Sequence, residues 1–175
     1  MLLFLLVASY FFSAGLIPYS QFMALLAAGM VALVGLADDV WQLDARWRMP
    51  PQFLAACWVV WWLGEMPAIG IAGWQLESQW LLRILAVLAL VWLLNLYNFM
   101  DGIDGLAASE LVFVNGMSLL LAINSGDSVV ALLSATLLTA GAGFLVWNWP
   151  PAKIFMGDVG SGFTGFSLGM LALFS

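Results

Sequence analysis

Seven apolar runs, separated by short polar segments, constrain this chain more than any other feature. The runs are Leu2–Ile17, Gln21–Ala37, Phe53–Leu63, Trp80–Phe99, Leu106–Ile123, Val129–Trp149 and a last one from Phe163 onward. Only 8% of the residues are charged, too few for a water-exposed surface. Lipid forces backbone groups to pair within one segment, so the runs predict helices. We therefore expect an all-α, polytopic membrane helix bundle of about seven transmembrane helices, with residues 1–175 as a single integral-membrane domain.

The run that begins at Phe53 is the weakest of the seven. It is shorter than the ~20 residues that a span needs, and it crosses only if the tail through Gly64 to Gly73 reaches the membrane interface. If all seven runs cross, the segments DDVWQLDARWRMPP, NFMDGIDG and NWPPAKIFMGDVGSG share one face.

The basic residues indicate which face this is. Arg46, Arg48 and Lys153 lie on the face of the three acidic segments, and only Arg83 begins a run at the other face. Positive residues favour the cytoplasmic side. We therefore expect a multi-pass protein of the inner (plasma) membrane, with these segments facing the cytoplasm.

Six of the ten acidic residues lie in these three segments. Asp38 and Asp39 follow an apolar run directly and have no basic residue beside them, so the pair predicts a bound cation. A helical turn would place Asp101 and Asp104 on one face. Outside these pairs, Asp44 is interpreted as a loop residue, Asp127 as a helix cap, and Glu110 as either a site residue or an interfacial one.

Carboxylates and amides without histidine are ligands for Mg²⁺, with Mn²⁺ as an alternative, and not for zinc. In KIFMGDVGSG, the backbone N–H groups beside Asp158 and the Ser161 hydroxyl are predicted to be free to approach an anion. The net charge of −6 disfavours nucleic acid as a partner. Phosphoryl transfer between a soluble nucleotide and a lipid phosphate would need such a site at a membrane surface.

Three blocks carry a resemblance to a known family: GLADDVWQLDARWRMPPQ, NLYNFMDGIDGLAASE and WNWPPAKIFMGDVGSG. In sequence, order and spacing they resemble the polyprenyl-phosphate N-acetylhexosamine-1-phosphate transferases. The resemblance implies transfer of a sugar-1-phosphate from a UDP-N-acetylhexosamine to undecaprenyl phosphate, with release of UMP, for cell-wall or O-antigen polysaccharide synthesis. It also implies a Mg²⁺ cofactor, a lipid bilayer, a homodimer as a further expected partner, and a larger fold of about ten to eleven helices.

The resemblance also assigns roles to residues. Asp38 and Asp39 match a pair that acts on the lipid phosphate, Asn148 matches an amide near the uridine, and Arg46 stands where many members carry lysine. The implied catalytic residues are Asp38, Asp39, Asp101 and Asp104. The implied metal ligands are Asn98 and Asp158. The implied substrate-binding residues are Arg46, Arg48, Asn95, Asn148, Lys153, Gly157 and Ser161.

The chain departs from the family pattern at both ends, and other functions stay open. It lacks the family's N-terminal helix and its C-terminal histidine loop, so an inactive truncated member is one alternative. An aromatic prenyltransferase is a second, although its carboxylates usually lie four residues apart. A cation transporter or channel is a third, and it would place acids near the bilayer midplane.

Overall fold

Within residues 2–71 and 74–174, which a computed structural model of the protein describes, the chain forms seven helices and one short hairpin. The helices are α1 (Leu2–Ser13), α2 (Tyr19–Trp41), α3 (Ala45–Leu63), α4 (Gln79–Met100), α5 (Leu106–Ser125), α6 (Ser128–Asn148) and α7 (Gly157–Phe174). Strands β1 (Ile69–Ile71) and β2 (Trp74–Leu76) pair antiparallel between α3 and α4. The all-α bundle is confirmed, and the hairpin is a local departure from it.

Four helices, α2, α4, α5 and α6, are long and apolar enough to cross a membrane, judged over residues 2–71 and 74–174. Helix α1 has 12 residues, fewer than a straight crossing needs. Helix α3 carries two arginines near its start, and α7, which contains Asp158 and several glycines, is not among the four either. Both nevertheless pack along the crossing helices. The chain is thus a multi-pass membrane protein.

Helix α3 gains its length at the opposite end from the one expected. It begins at Ala45 rather than at Phe53 and continues through Pro50 and Pro51. Both prolines lie in the second turn, where each removes one backbone donor without ending the helix. The 19 residues span about 28 Å, close to the thickness of the hydrocarbon core. The tail therefore need not extend the span; of that tail, Ala72 and Gly73 lie outside the described residues.

Helix α7 is the centre of the bundle, between α2 and α4. Every residue from Ser161 to Leu171 is buried. A Cβ at Gly165 would lie 2.4 Å from the carbonyl oxygen of Leu93 on α4, so only glycine permits this approach of the two backbones. The close packing explains how a helix rich in glycine, serine and threonine sits inside a membrane bundle, since most of its surface contacts neighbouring helices.

Candidate functional site

The three acidic segments meet at one end of the bundle. Side chains from the end of α2 and from the α4–α5 turn reach the first turn of α7 and the segment before it. This convergence confirms the prediction from parity that the segments share a face. Packing of α7 against α2 and α4 fixes the distances between the three acidic segments.

Asp38 is a buried carboxylate of the site, as is Asp101, and the basic partner of Asp38 comes from α3. Its Oδ1 accepts a hydrogen bond from the N–H of Leu43 at 2.8 Å, and its Oδ2 accepts one from Nη1 of Arg48. No basic residue stands beside the aspartate pair in the sequence, and Arg48, ten residues after Asp38, supplies a positive charge to Asp38 in the structure. Arg48 lies in a helical turn that the sequence pattern assigned to a loop, and the turn brings its guanidinium back to Asp38.

Asp158 lies in the first turn of α7 and faces the same guanidinium. Its Oδ2 is 3.4 Å from Nη1 of Arg48, and its Oδ1 accepts a hydrogen bond from Nδ2 of Asn98. The same Asn98 nitrogen lies 3.3 Å from the hydroxyl oxygen of Ser161. Arg48 thus links Asp38 to Asp158, and Asn98 links Asp158 to Ser161.

Asp39 performs a different task from its neighbour. Its two carboxylate oxygens accept hydrogen bonds from the N–H groups of Asp158 at 2.9 Å and Val159 at 3.2 Å. These groups have no acceptor within α7, and an anion at a helix N-terminus is also favoured by the helix dipole. Asp39 thus caps α7 from another helix.

Asp101 occupies the preceding two N–H groups. It accepts from Met156 at 3.2 Å and from Gly157 at 3.0 Å. Burial raises the pKa of the Asp101 carboxyl above the usual aspartate range, the two N–H donors lower it, and the charge of Asp39 raises it again. Because Asp101 is the C-cap of α4 and Asp104 lies in the turn beyond it, the expectation that both lie on one helical face is wrong.

The glycine-rich segment is therefore not the open anion cradle that its sequence predicted. The N–H groups of residues 156–159 are bonded to carboxylates of the chain itself. The Ser161 hydroxyl donates to the carbonyl of Gly157 at 2.8 Å. Gly157 has a positive φ of 66°, and a Cβ there would lie 3.0 Å from an Asp39 oxygen. Gly157 and Ser161 thus stabilise the backbone of the site through contacts inside the protein.

Asp104 and Asn148 hold the α6–α7 connection against the α4–α5 turn. Asp104 accepts a hydrogen bond from the N–H of Ala152 at 2.9 Å. Asn148 is 1% exposed; its Oδ1 accepts from Gly105 at 3.0 Å and its Nδ2 donates to Ile154 at 2.8 Å. Both ends of the amide are used inside the protein.

Two of the basic residues implied in substrate binding lie away from these carboxylates. Arg46 pairs with Asp44 at 2.8 Å, and its side chain is 76% exposed. Lys153 lies with its Nζ 5.4 Å from the centre of the Trp147 ring. Of these basic residues, Arg48 thus lies in the site, whereas Arg46 and Lys153 lie outside it. Asp127, predicted as a cap, is confirmed as one by its bonds to Val129 and Val130.

Gln52 is a site residue that the sequence interpretation missed. Its Oε1 accepts a hydrogen bond from Asn95 at 2.9 Å, and Asn95 also donates to the carbonyl of Val91. Both amides line a small polar cavity of about 20 Å³ together with Asp38, Arg48, Asn98 and Asp158. The available signal was a glutamine one helical turn after Arg48, because this spacing places both on the same face of α3.

The match to a known family agrees with this arrangement. A family model described as glycosyl transferase family 4 matches residues 21–175, which include every residue of the site. The chain belongs to glycosyl transferase family 4. The resemblance drawn from the three sequence blocks is thereby confirmed at the level of the family.

Curated relatives within glycosyl transferase family 4 share about a third of the aligned residues. A Bacillus subtilis protein named as a probable undecaprenyl-phosphate N-acetylglucosaminyl 1-phosphate transferase is 34% identical over 83% of this chain and 41% of its own length. A Moorella thermoacetica phospho-N-acetylmuramoyl-pentapeptide-transferase is 35% identical over 81% of this chain and 49% of its own length. A Mycolicibacterium smegmatis decaprenyl-phosphate N-acetylglucosaminephosphotransferase is 37% identical, with shares of 82% and 38%. The chain thus spans less than half the length of these relatives.

The donor chemistry at Asn98 and Asp158 fits a hard divalent ion. No group of three histidine, cysteine or acidic side chains within residues 2–71 and 74–174 is arranged to hold a metal ion, but Mg²⁺ usually takes only one or two carboxylates and completes its shell with water or phosphate. The orientation of an amide follows from its hydrogen-bond partners. Rotation of the Asn98 amide would place Oδ1 beside Asp158, which gives two oxygen donors, and the Arg48 guanidinium shows that a cation is stable there.

Proposed function

We propose that this member of glycosyl transferase family 4 transfers a sugar-1-phosphate from a UDP-N-acetylhexosamine to undecaprenyl phosphate. A phosphate oxygen of the lipid attacks the sugar-bearing phosphorus of the nucleotide. The bond to the UMP phosphate breaks, and UMP leaves while a lipid-linked diphosphate sugar forms. The product would enter cell-wall or O-antigen polysaccharide synthesis. The observation that carries the proposal is the Asp38–Arg48–Asp158–Asn98 cluster at one end of the membrane helices.

Asn98 and Asp158 are the residues that would hold Mg²⁺, with Mn²⁺ as the alternative. The bound ion would supply charge neutralisation for the diphosphate. We assign contact with the lipid phosphate to Asp38, which lines the same cavity as Asp158. The Arg48 guanidinium can donate two parallel hydrogen bonds to phosphate oxygens. The position of these side chains in one cavity supports both roles.

The other acidic residues support the site through α7. Asp39 and Asp101 bind four successive backbone N–H groups at the start of this helix, and thereby fix the direction in which Asp158 points. Asp104 and Asn148 position the preceding segment. We therefore assign positioning roles to Asp39, Asp101, Asp104 and Asn148 in place of direct contact with the reacting atoms.

The cluster faces the cytoplasm of an inner-membrane protein in this proposal, because UDP-sugars are made there and because three of the four basic residues lie at the site's end. The hydrocarbon tail of the acceptor would stay in the bilayer while its phosphate reaches Asp38 at the interface. Association into a homodimer stays a prediction.

Release of UMP tests the proposal. Membranes that contain the protein are incubated with undecaprenyl phosphate, Mg²⁺ and either UDP-N-acetylglucosamine or UDP-N-acetylmuramoyl-pentapeptide. We expect UMP release that needs the lipid, and a loss of about 100-fold or more in Asp158→Asn. Asp127→Asn is the matched control, since Asp127 caps α6 at the other end of the bundle. No UMP from either sugar nucleotide, or an equal loss in both variants, would contradict the proposal.

A further inference from the structure

One nitrogen of Arg48 joins two carboxylates that belong to different helices. Nη1 donates to Oδ2 of Asp38 on α2 and lies 3.4 Å from Oδ2 of Asp158 on α7. The two oxygens therefore face a common point. Two carboxylates so arranged repel each other unless a cation lies between them. In this structure the guanidinium of Arg48 is that cation.

The two carboxylates are held by the bundle, whereas within residues 2–71 and 74–174 the hydrogen-bond partners of the Arg48 guanidinium are these two carboxylates. Asp38 is fixed by the N–H of Leu43, and Asp158 by the amide of Asn98. The Arg48 side chain is 33% exposed, against 6% for Asp38. A long side chain at the rim can swing outward at little cost, since its charge is readily hydrated. Arg48 is therefore the movable member of the cluster.

We propose that Arg48 is a resident counter-cation that competes with the divalent ion for this site. With no divalent ion bound, its guanidinium neutralises Asp38 and Asp158 and keeps the site closed. When the ion binds, Arg48 leaves the carboxylates, and its guanidinium becomes available to phosphate. This inference rests on the proposed metal-binding role of Asn98 and Asp158, and it adds that the chain itself limits how tightly the ion binds.

Electrostatics sets the direction of the effect. A unit positive charge within about 6 Å of a divalent ion opposes its binding by more than a factor of ten, even at an effective dielectric constant of 40. Arg46 carries the same charge on the same helix, but it is exposed and paired with Asp44. Solvent and salt screen its effect. Arg46 is thus a matched control for the loss of one positive charge.

Binding of Mn²⁺, followed by its electron paramagnetic resonance signal in detergent, separates these possibilities. We expect Arg48→Gln to bind Mn²⁺ about tenfold more tightly than the wild type or more, Arg46→Gln to stay within about twofold, and Arg48→Lys to resemble the wild type. Equal or weaker binding in a folded Arg48→Gln protein overturns the inference. An Asp158→Asn protein that binds Mn²⁺ as the wild type does would instead overturn the proposed metal site.

A measurement on the unaltered protein covers the case in which Arg48→Gln does not fold. Phenylglyoxal modifies free guanidinium groups, and mass spectrometry locates the modified residue. We expect saturating Mn²⁺ to raise the modification rate of Arg48 severalfold and to leave that of Arg46 unchanged. An unchanged rate at Arg48, under conditions in which Asp158→Asn abolishes Mn²⁺ binding, overturns the inference while the proposed metal site stands.

Discussion

Gly35 of α2 lies directly against the backbone of Asp158 at the start of α7. A Cβ at Gly35 would be 2.5 Å from the Asp158 carbonyl oxygen and 2.7 Å from the Val159 nitrogen. No side chain fits there without a shift of one backbone. Gly35 therefore sets the separation of two helices at the point where Asp38, one turn further along α2, faces Asp158.

Gly35→Ala is expected to lower the free energy of unfolding by about 1–3 kcal/mol and to weaken Mn²⁺ binding. The added methyl group must push α7 away, and with it Asp158. Denaturation by SDS measures the first effect, and paramagnetic resonance the second. Gly116→Ala on α5 is the control, since a Cβ there has nothing within 4 Å and alanine favours a helix. If Gly35→Ala and Gly116→Ala behave alike, the close approach has no energetic importance.

Removal of the cap on α7 is expected to destabilise the protein. In Asp39→Ala, the N–H groups of Asp158 and Val159 lose their acceptor, which costs about 1–2 kcal/mol. Asp39→Asn retains one carbonyl oxygen and should lose less. Asp44→Ala, which breaks only the exposed pair with Arg46, should stay within about 0.5 kcal/mol in the same SDS titration. Equal stability of Asp39→Ala and Asp44→Ala would show that the cap is dispensable.

The helices and the end of the bundle that carries the site could be predicted from the sequence. Lipid demands long apolar helices, so the runs locate α2, α4, α5 and α6, and their number places Asp38, Asp101 and Asp158 on one face. The predicted start of α3 was wrong because its first turns contain charged residues and two prolines, which an apolar pattern does not detect. The hairpin at Ile69–Ile71 and Trp74–Leu76 lies outside the crossing helices, where the lipid constraint does not apply.

The individual partners in the site could not be predicted in the same way. The sequence indicated that the negative charges of Asp38 and Asp39 needed compensation. It did not indicate that Arg48 compensates Asp38 and that the N-terminus of α7 compensates Asp39. That division depends on the left-handed turn at Gln42, with a φ of 50°, and on the helical start of α3. Three-dimensional neighbours, such as Gln52 and Asn95, follow from packing between helices, which residue spacing along the chain does not encode.

Replacement of the buried Asn148 is expected to lower the free energy of unfolding. Asn148→Ala leaves the buried N–H of Gly105 and the partly exposed carbonyl of Ile154 without this partner, at a cost of about 1–3 kcal/mol. Thermal unfolding followed by circular dichroism measures the loss. Asn124→Ala is the matched control, because Asn124 is exposed at the other end of the bundle. A loss in Asn148→Ala no larger than in the control would mean that the two connections do not depend on this amide.

Labelling with a membrane-impermeant maleimide is expected to place the two ends of α5 on opposite sides of the membrane. The background is Cys57→Ser, which removes the single, exposed cysteine. A cysteine fits at Gly102, where a Cβ would be 3.7 Å from the Phe99 carbonyl, and Ser125 ends α5 at the other side. The 20 residues of α5 cover about 30 Å, the thickness of the hydrocarbon core.

In spheroplasts the Ser125→Cys protein should be labelled and the Gly102→Cys protein protected, and inside-out vesicles should show the reverse. Labelling of both from one side would mean that α5 does not cross, whereas the opposite pattern would place the Asp38–Arg48–Asp158 cluster outside the cell, away from its proposed nucleotide substrate.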